Sequence, residues 1–329
     1  MNAEVRVGVI GLGIGEKHLE EYARLEGVRL VAVADVLPER AEHVARRYGL
    51  RPYQNGLDMM SEEQLDAVSI CTPPRWHHDL VLAAAERGLH VLCEKPMAPS
   101  LEECDDMIAA CRRAGVTLLL GYKKRSSPPF RLLKAKQEEW GEACIGQVRY
   151  QLGPVDKAWF WDGKDGGGPL IENTAHAFDM LRFLFGDVER VYAEGSNALA
   201  PDRGELASAA CTLRFRSGAI VTLAAGYGGI WGYDQSERWV LNYHRANVEI
   251  CGPFDNPTTL RLMHRDGTSI EERWWADASG WPQQMAHFLA CVRGEEQPRA
   301  SGEDGKRALE LGLAVKQSAR TGLPVTIAP

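Results

Sequence analysis

The stretch that most restricts the fold of this chain runs from Val5 to Asp35. Val5-Arg6-Val7-Gly8-Val9-Ile10 reads as a short buried strand, Gly11-Leu12-Gly13-Ile14-Gly15 as a tight turn, and Glu16 to Leu25 as a helix. Val28 to Ala34 is a second strand, closed by Asp35. Two parallel strands need a helical crossover between them, so this order commits the N-terminal part to an α/β architecture. Strand, glycine turn, helix, strand and terminal acid form the dinucleotide-binding βαβ unit. The backbone at Gly11, Gly13, Ile14 and Gly15 can approach a pyrophosphate, and the helix N-terminus adds donors and a positive dipole end. Asp35 is placed to accept from the adenosine ribose hydroxyls and repels a 2′-phosphate, which favours NAD over NADP. The third glycine stands one residue earlier than in the G-x-G-x-x-G spacing. A glycine pattern alone also describes a plain structural turn; the flanking strands and Asp35 favour the cofactor reading.

The alternation continues to residue 122. Ala41 to Tyr48, a helix opened by Pro73-Pro74-Arg75-Trp76-His77-His78 and ending near Arg87, and Leu101 to Ala114 read as helices. Ala67 to Thr72, His90 to Cys93 and Val116 to Leu120 read as strands. Such alternation implies a doubly wound parallel sheet whose ligands bind beyond the carboxyl ends of the strands. Asp35, Thr72, Pro73, Glu94, Lys95 and Tyr122 fall at those ends and His77 just after one, so they are expected in one crevice. Lys95, fixed by Pro96, can donate to a substrate hydroxyl or share its proton. Most lysines are simply surface residues, which is the competing reading for this one. Of His77 and His78, one is expected to shape the helix start or line the crevice and the other to be solvated.

A second domain, residues 123–329, is expected after this first one, residues 1–122. It opens with the basic, proline-marked crossing Lys123-Lys124-Arg125-Ser126-Ser127-Pro128-Pro129 and a helix over Phe130 to Glu139. Gly166-Gly167-Gly168-Pro169 then runs into a helix with Pro169 in its first turn and Gly186 as a stop. On such a helix Glu172, His176 and Asp179 share one side, an arrangement that can orient and tune a general base. The same spacing describes a solvated polar face, although Phe183 on that side is odd for a face turned only to water. Strand-like runs follow from Arg190 to His264, and they suggest a large, mostly antiparallel open sheet in an α+β domain. Gln283 to Arg293 and Gly305 to Ala319 read as closing helices. Trp159 and Trp161 lie in a loop before the glycines and can pack against the C–H face of a polyol ring, as can Tyr227, Trp231 and Tyr233; core packing or a subunit contact is the alternative for each.

Composition limits the partners. The chain has 329 residues with a formal charge of −7, which argues against nucleic acid and anionic membranes. No apolar run approaches the roughly 20 residues of a membrane span, and no signal core precedes Val5. None of the eight cysteines forms a C-x-x-C pair, so reduced, buried thiols, a cytoplasmic protein and no metal site are expected. Cys71 is read as a core thiol in preference to a nucleophile.

Taken together these motifs resemble the Gfo/Idh/MocA family, named for glucose–fructose oxidoreductase, inositol 2-dehydrogenase and a rhizopine-catabolism protein. The matching pieces are the glycine loop with His18 after it, Asp35, Cys71-Thr72-Pro73 followed by His77, and Glu94-Lys95-Pro96. They continue with the triple-glycine loop, Glu172, His176 and Asp179, and the stretch from Glu303 to Val325. The resemblance implies hydride transfer between a secondary alcohol and nicotinamide, with His176 as general base and Lys95 polarising the oxygen. It puts Arg125 near the substrate pocket. It also implies aspartate where this chain has Glu172, and asparagine where it has Lys123. Asp179 is expected to support the helix. Three readings are open: an NAD-dependent dehydrogenase of a sugar, sugar derivative or cyclitol; a redox-neutral NAD-using enzyme such as one that cleaves glycosides; and a catalytically silent cofactor sensor. Retention of both Lys95 and His176 counts against the sensor. A homodimer or homotetramer through the open sheet is expected, since an open sheet needs cover on its exposed face.

Overall fold

The computed structural model describes residues 4–163, 165–233, 235–267 and 270–329. The chain divides into two compact units, Met1–Tyr122 with Trp281–Lys306, and Lys123–Gly280 with Arg307–Pro329.

In the first unit, β1 (Val5–Ile10), α1 (Gly15–Tyr22), β2 (Val28–Ala34), α2 (Pro38–Tyr48), β3 (Arg51–Tyr53), α3 (Gly56–Glu62), β4 (Ala67–Ile70), α4 (His77–Glu86), β5 (His90–Cys93), α5 (Leu101–Ala114) and β6 (Leu118–Leu120) follow in strict alternation. Among the described residues the strands form a six-stranded parallel sheet of order β3-β2-β1-β4-β5-β6. The order reverses at β1, so the crevice above β1 and β4 is the topological switch point. Local signals bound the helices. Ser100 accepts from the Glu103 amide, acids fill the first turn of α5, Arg112 and Arg113 the last, and Gly115 ends it at φ 68°. Val9, Leu12, Leu19, Val33, Val44 and Cys71 form one core under the glycine turn. Burial of each such aliphatic side chain contributes roughly 1.5–3 kcal/mol.

The second unit begins with a buried 3₁₀ turn, Lys123–Ser126, and then α6 (Pro128–Trp140), β7 (Ala143–Leu152), α7 (Ala158–Trp161) and α8 (Ala175–Phe185). The strands β8 (Val188–Ser196), β9 (Ser208–Phe215), β10 (Ile220–Tyr227), β11 (Glu237–Tyr243), β12 (Ala246–Gly252), β13 (Thr259–His264) and β14 (Ile270–Trp274) complete its sequence up to residue 280. After these come α9 (Trp281–Val292), α10 (Gly302–Thr321) and β15 (Val325–Thr326). The described strands form a nine-stranded sheet, β14-β13-β12-β11-β7-β10-β9-β8-β15, antiparallel except for the β7–β10 pair. Val148, Leu213, Leu223, Trp239 and Leu241 from one face meet Phe130, Leu133, Ala177, Leu181, Leu311 and Val315 from the helices in a single core.

Two expectations need correction. The stretch Trp281–Lys306 belongs with the first unit, although the sequence reading assigns everything after residue 122 to the second. Long-range contacts hold it there: the Trp281 ring lies edge-on to His18, Arg293 donates to the Gly27 carbonyl, and Glu303 and Lys306 pair with Arg112 and Asp105. None of these contacts leaves a local pattern. Second, the helix after the triple glycine starts at Ala175, six residues later than Pro169. Gly167 and Gly168 take φ of 68° and 76°, and the hydroxyl of Thr174 returns to the Pro169 carbonyl, so Pro169–Thr174 is a series of turns. Glu172 is therefore outside the helix that carries His176 and Asp179.

Candidate active site

In the first unit, the hydrogen-bond ladder extends one step past each strand end. Gly11 N–H bonds Ala34, Asp35 bonds Tyr53, Cys71 bonds Ile10, Glu94 bonds Ile70 and Gly121 bonds Cys93. These bonds align the glycine turn, Asp35, Cys71-Thr72, Glu94-Lys95 and Gly121-Tyr122 along one edge of the sheet. Gly11 sits at φ 85°, and a Cβ there would stand 2.7 Å from the Cys71 carbonyl group. A Cβ on Gly13 would meet nothing within 4 Å, which leaves open space over the turn. A Cβ on Gly15 would stand 2.9 Å from Val9, so this glycine serves close helix–strand packing. Tight turn, open approach and close packing are the three glycine tasks in a dinucleotide cradle, met here with the third glycine one residue early. Ile14 is exposed beside the turn.

Asp35 is buried; its carboxylate accepts from the amides of Leu12 and Leu37, at 2.8 and 2.9 Å, and from Arg40 at 3.3 Å. Arg40 is half-exposed here, and its place beside Asp35 leaves no signature in the sequence because the spacing of the two matches no cofactor motif. Thr72 Oγ1 is buried with no hydrogen-bond partner among the described residues, and an orphan donor at this edge suits a bound ligand. Pro73 leads into a 3₁₀ turn, Pro74–Trp76, ahead of α4. His77 is fully buried and faces inward: Nε2 lies 2.8 Å from the Thr72 carbonyl and Nδ1 3.1 Å from that of Pro96. It braces two strand-end loops against each other. Burial pulls its pKa below the ordinary histidine value, against the opposing pull of those carbonyls. His78 is also largely covered, with its side chain 21% exposed, and its Nδ1 lies 2.8 Å from Asp79 and its Nε2 3.5 Å from Asp106, so the expectation that one of the two histidines is solvated needs correction.

Glu94 is 4% exposed. Its Oε1 lies 3.2 Å from His18 Nε2, and its Oε2 accepts from the Lys95 amide at 3.2 Å. Tyr122, at the end of the last strand of this edge, is buried at 2% exposure.

In the second unit the three cations of Lys123–Ser126 are all buried. Arg125 forks onto Asp179, with Nη2–Oδ1 2.7 Å and Nε–Oδ2 2.9 Å, and its guanidinium lies over the Phe183 ring. The odd aromatic on the polar side of α8 is thereby accounted for: it packs beneath Arg125 and Lys134. Arg125 reinforces the helix that bears His176, one turn before Asp179. His176 is 4% exposed in the first turn of α8.

The neighbouring network is one that sequence reasoning missed. Lys124 Nζ lies 2.8 and 2.7 Å from the two oxygens of Glu237, which also accepts from Trp239 and from the Asp255 amide. Lys123 pairs with Asp255 at 2.5 Å, and Asp255 also accepts from Tyr150. Burial opposes ionisation of Asp255, but Lys123, Lys124 and His176 outweigh it and hold the carboxyl far below its ordinary range. Burial pushes Glu237 up and Lys123 down. Three consecutive basic residues before Pro128 are the only signal for this network. Their carboxylate partners lie far along the chain and cannot be located by spacing.

Trp161 is a core residue: its Nε1 donates to the Val155 carbonyl, and its ring packs edge-on with Phe160 and Tyr227. Trp159, half-buried, packs against the same cluster. Both belong to α7, and the glycine loop is built to fit against it, since a Cβ on Gly166 would stand 2.6 Å from the Phe160 carbonyl oxygen. Trp231 is exposed, with its Nε1 on the Pro154 carbonyl. Among the described residues no group of three His, Cys, Asp or Glu side chains is arranged to hold a metal ion.

A doubly wound sheet, with a glycine cradle at its switch point closed by an acid, defines a dinucleotide-binding protein. Residues 5–122 match the model of the Gfo/Idh/MocA oxidoreductase family with its NAD-binding Rossmann fold, and residues 136–252 match the C-terminal domain of the same family. The chain belongs to this family of oxidoreductases. It is 30% identical to a myo-inositol 2-dehydrogenase of Thermotoga maritima, over 95% of this chain and 96% of that one. It is 28% identical to an NAD(+)-dependent scyllo-inositol 2-dehydrogenase of Bacillus subtilis, over 99% and 97%. Its fold is similar to that of the WlbA dehydrogenase of Bordetella pertussis, solved with NADH and UDP-GlcNAcA, with TM-score 0.86 and 24% identity over 100% and 99% of the two chains. No described helix is long and apolar enough to cross a membrane, and the eight cysteines are free thiols.

Proposed function

We propose that this protein is an NAD-dependent dehydrogenase acting on a secondary alcohol of a sugar, sugar derivative or cyclitol. The observation that carries the reading is the presence, in a member of this oxidoreductase family, of Lys95 on the same sheet edge as the glycine cradle and Asp35. Full-length similarity to two inositol 2-dehydrogenases supports a polyhydroxylated ring as substrate.

NAD would be held by the backbone at Gly11, Gly13, Ile14 and Gly15, by Asp35 at the adenosine ribose, and by Thr72 and Pro73 at the switch point. Bound nicotinamide supplies the hydride chemistry. This chain's own residues manage the proton. His176 would act as the general base toward a substrate hydroxyl, and Lys95 would donate to a substrate oxygen and stabilise its developing charge. Glu172, Tyr122, Arg125, Trp159 and Trp161 were expected on the substrate side. Glu172 and Tyr122 keep that assignment here, whereas the ion pair of Arg125 and the packing of Trp161 support bracing roles. The free thiols support a reducing compartment such as the cytoplasm.

Self-association through the outer face of the larger sheet completes the proposal. Glu249, Val240, Gln147, Thr222, Thr212 and Tyr192 form one row across six adjacent strands on the side opposite the core. Gln147, Thr222, Thr212 and Tyr192 in that row are exposed.

The test is NADH appearance with NAD against a panel of inositols, sugars, glycosides and sugar acids. Turnover is expected, with Lys95→Ala and His176→Ala each lowering kcat by roughly 10²–10⁴-fold. Silence across the panel with measurable NAD binding would move the assignment to a redox-neutral reaction.

A further inference from the structure

Glu94 stands at the strand-end crevice where a cofactor contact is expected, yet its carboxylate is turned into the protein. Oε1 faces His18 Nε2 at 3.2 Å, Oε2 holds the Lys95 amide at 3.2 Å, and the backbone of Gly121 closes over the group. A Cβ on Gly121 would stand 2.5 Å from Oε1, so this contact exists because residue 121 is glycine. His18 is itself fully buried and held from two further sides: Cys71 Sγ lies 3.5 Å from Nδ1, and the Trp281 ring meets the imidazole edge-on at 5.3 Å between centroids. The elements meeting here are α1 through His18, the end of β4 through Cys71, the end of β5 through Cys93 and Glu94, and α9 through Trp281.

We infer that Glu94, anchored by His18, is a positioning residue for Lys95 and not a cofactor contact: its carboxylate fixes the Lys95 amide and keeps the adjacent ammonium charged. The inference rests on the reading of Lys95 as the residue that meets the substrate oxygen. A buried carboxylate needs partners, and among the described residues this one finds them within the protein, in the His18 ring and the Lys95 amide. Burial opposes its ionisation, but the His18 hydrogen bond and the electrostatic interactions with His18 and Lys95 outweigh burial and hold the carboxyl below its ordinary range. Burial and the Glu94 charge drive the thiols of Cys71 and Cys93 well upward, so both stay neutral. Linkage is reciprocal: a carboxylate stabilised by the Lys95 charge raises the proton affinity of Lys95 in turn.

The test uses full-length protein with its lysines reductively methylated by ¹³C-formaldehyde, the Lys95 resonance being the one lost in Lys95→Arg. NMR titration gives the Lys95 midpoint, and quenching of tryptophan fluorescence gives NAD affinity; neither readout needs a substrate. Glu94→Gln keeps an acceptor for the amide and removes the charge. It is expected to lower the Lys95 midpoint by roughly one pH unit and to leave NAD affinity within about threefold. A midpoint that does not move, or an NAD affinity weakened about tenfold or more, overturns the inference; the second result would make Glu94 a cofactor contact. Should Glu94→Gln fail to fold, Glu94→Asp retracts the charge by one methylene. A smaller shift in the same direction, with NAD affinity kept, is then expected, and an unmoved midpoint overturns the inference. A positive result together with fully active Lys95→Ala would leave the positioning geometry standing and defeat the catalytic reading of Lys95 instead.

Discussion

Asp35 carries two tasks at once. It closes the glycine turn by accepting from the Leu12 and Leu37 amides, and in the proposed NAD site its charge would repel an adenosine 2′-phosphate. Arg40, 3.3 Å away, is partly neutralised by it. Removing the charge while keeping one acceptor oxygen, as in Asp35→Asn, frees that guanidinium for a phosphate. The ratio of kcat/KM for NAD to that for NADP is expected to fall at least about tenfold, because like-charge juxtaposition costs several kcal/mol. An unchanged ratio in steady-state assays with both cofactors would show that Asp35 does not set the preference. The place of Asp35 at the end of β2, against the glycine turn, was legible in the sequence because strand, turn and acid obey a fixed local spacing. The inward turn of His77, Arg125 and Trp161 was not, since each is decided by carbonyls, a carboxylate or rings that meet it only in the folded chain.

At the scale of elements, the helices with caps and the central strands with strong patterning were readable, and the exceptions have physical causes. β3 contains Pro52, and β14 is largely exposed; both are edge strands, which need neither a full ladder nor a buried alternation. The start of α8 was read too early because Pro169 suits a first helical turn equally well as a plain turn. The same difficulty hid the anchor of the Lys123–Ser126 turn. Lys124 and Glu237, each at most 1% exposed, fasten it to the start of β11, and Asp255 shares the load from the loop after β12. Breaking one partner of such a pair leaves an uncompensated buried charge. Glu237→Gln is therefore expected to destabilise the protein by about 3–5 kcal/mol, read from the midpoint of urea unfolding. Lys124→Met combined with Glu237→Gln should recover part of that loss. Equal stability of Glu237→Gln and the parent would mean that water or Asp255 satisfies Lys124.

For the molecule as a whole, the open question set by this architecture is what covers the outer side of the larger sheet. Its inner face is sealed by the helices and an apolar core, so stability of the unit does not require a partner. The outer face is different in kind. Thr222 and Thr212 lie directly opposite one another at its centre, flanked by Ala224 and Ala210, with no charged side chain in those two cross-strand pairs. Charge begins immediately around them: Arg149 stands beside Ala224 on β7, Glu194 beside Ala210 on β8, and Arg214 two residues from Thr212 on β9, with the Arg238–Glu249 pair farther out. A flat central patch of small neutral side chains with a charged rim is how a self-complementary interface is composed, and two-fold pairing of identical faces is the commonest solution for such a patch. Replacing Thr222 and Thr212 by arginine places like charges at the centre of that contact in both copies while leaving the core face untouched. Sedimentation velocity is expected to show an oligomer for the parent and a monomer for the double variant, with unfolding midpoints that agree when both are measured as monomers at high dilution. A parent that sediments as a monomer, or a double variant that stays assembled, would rule out this face as the contact.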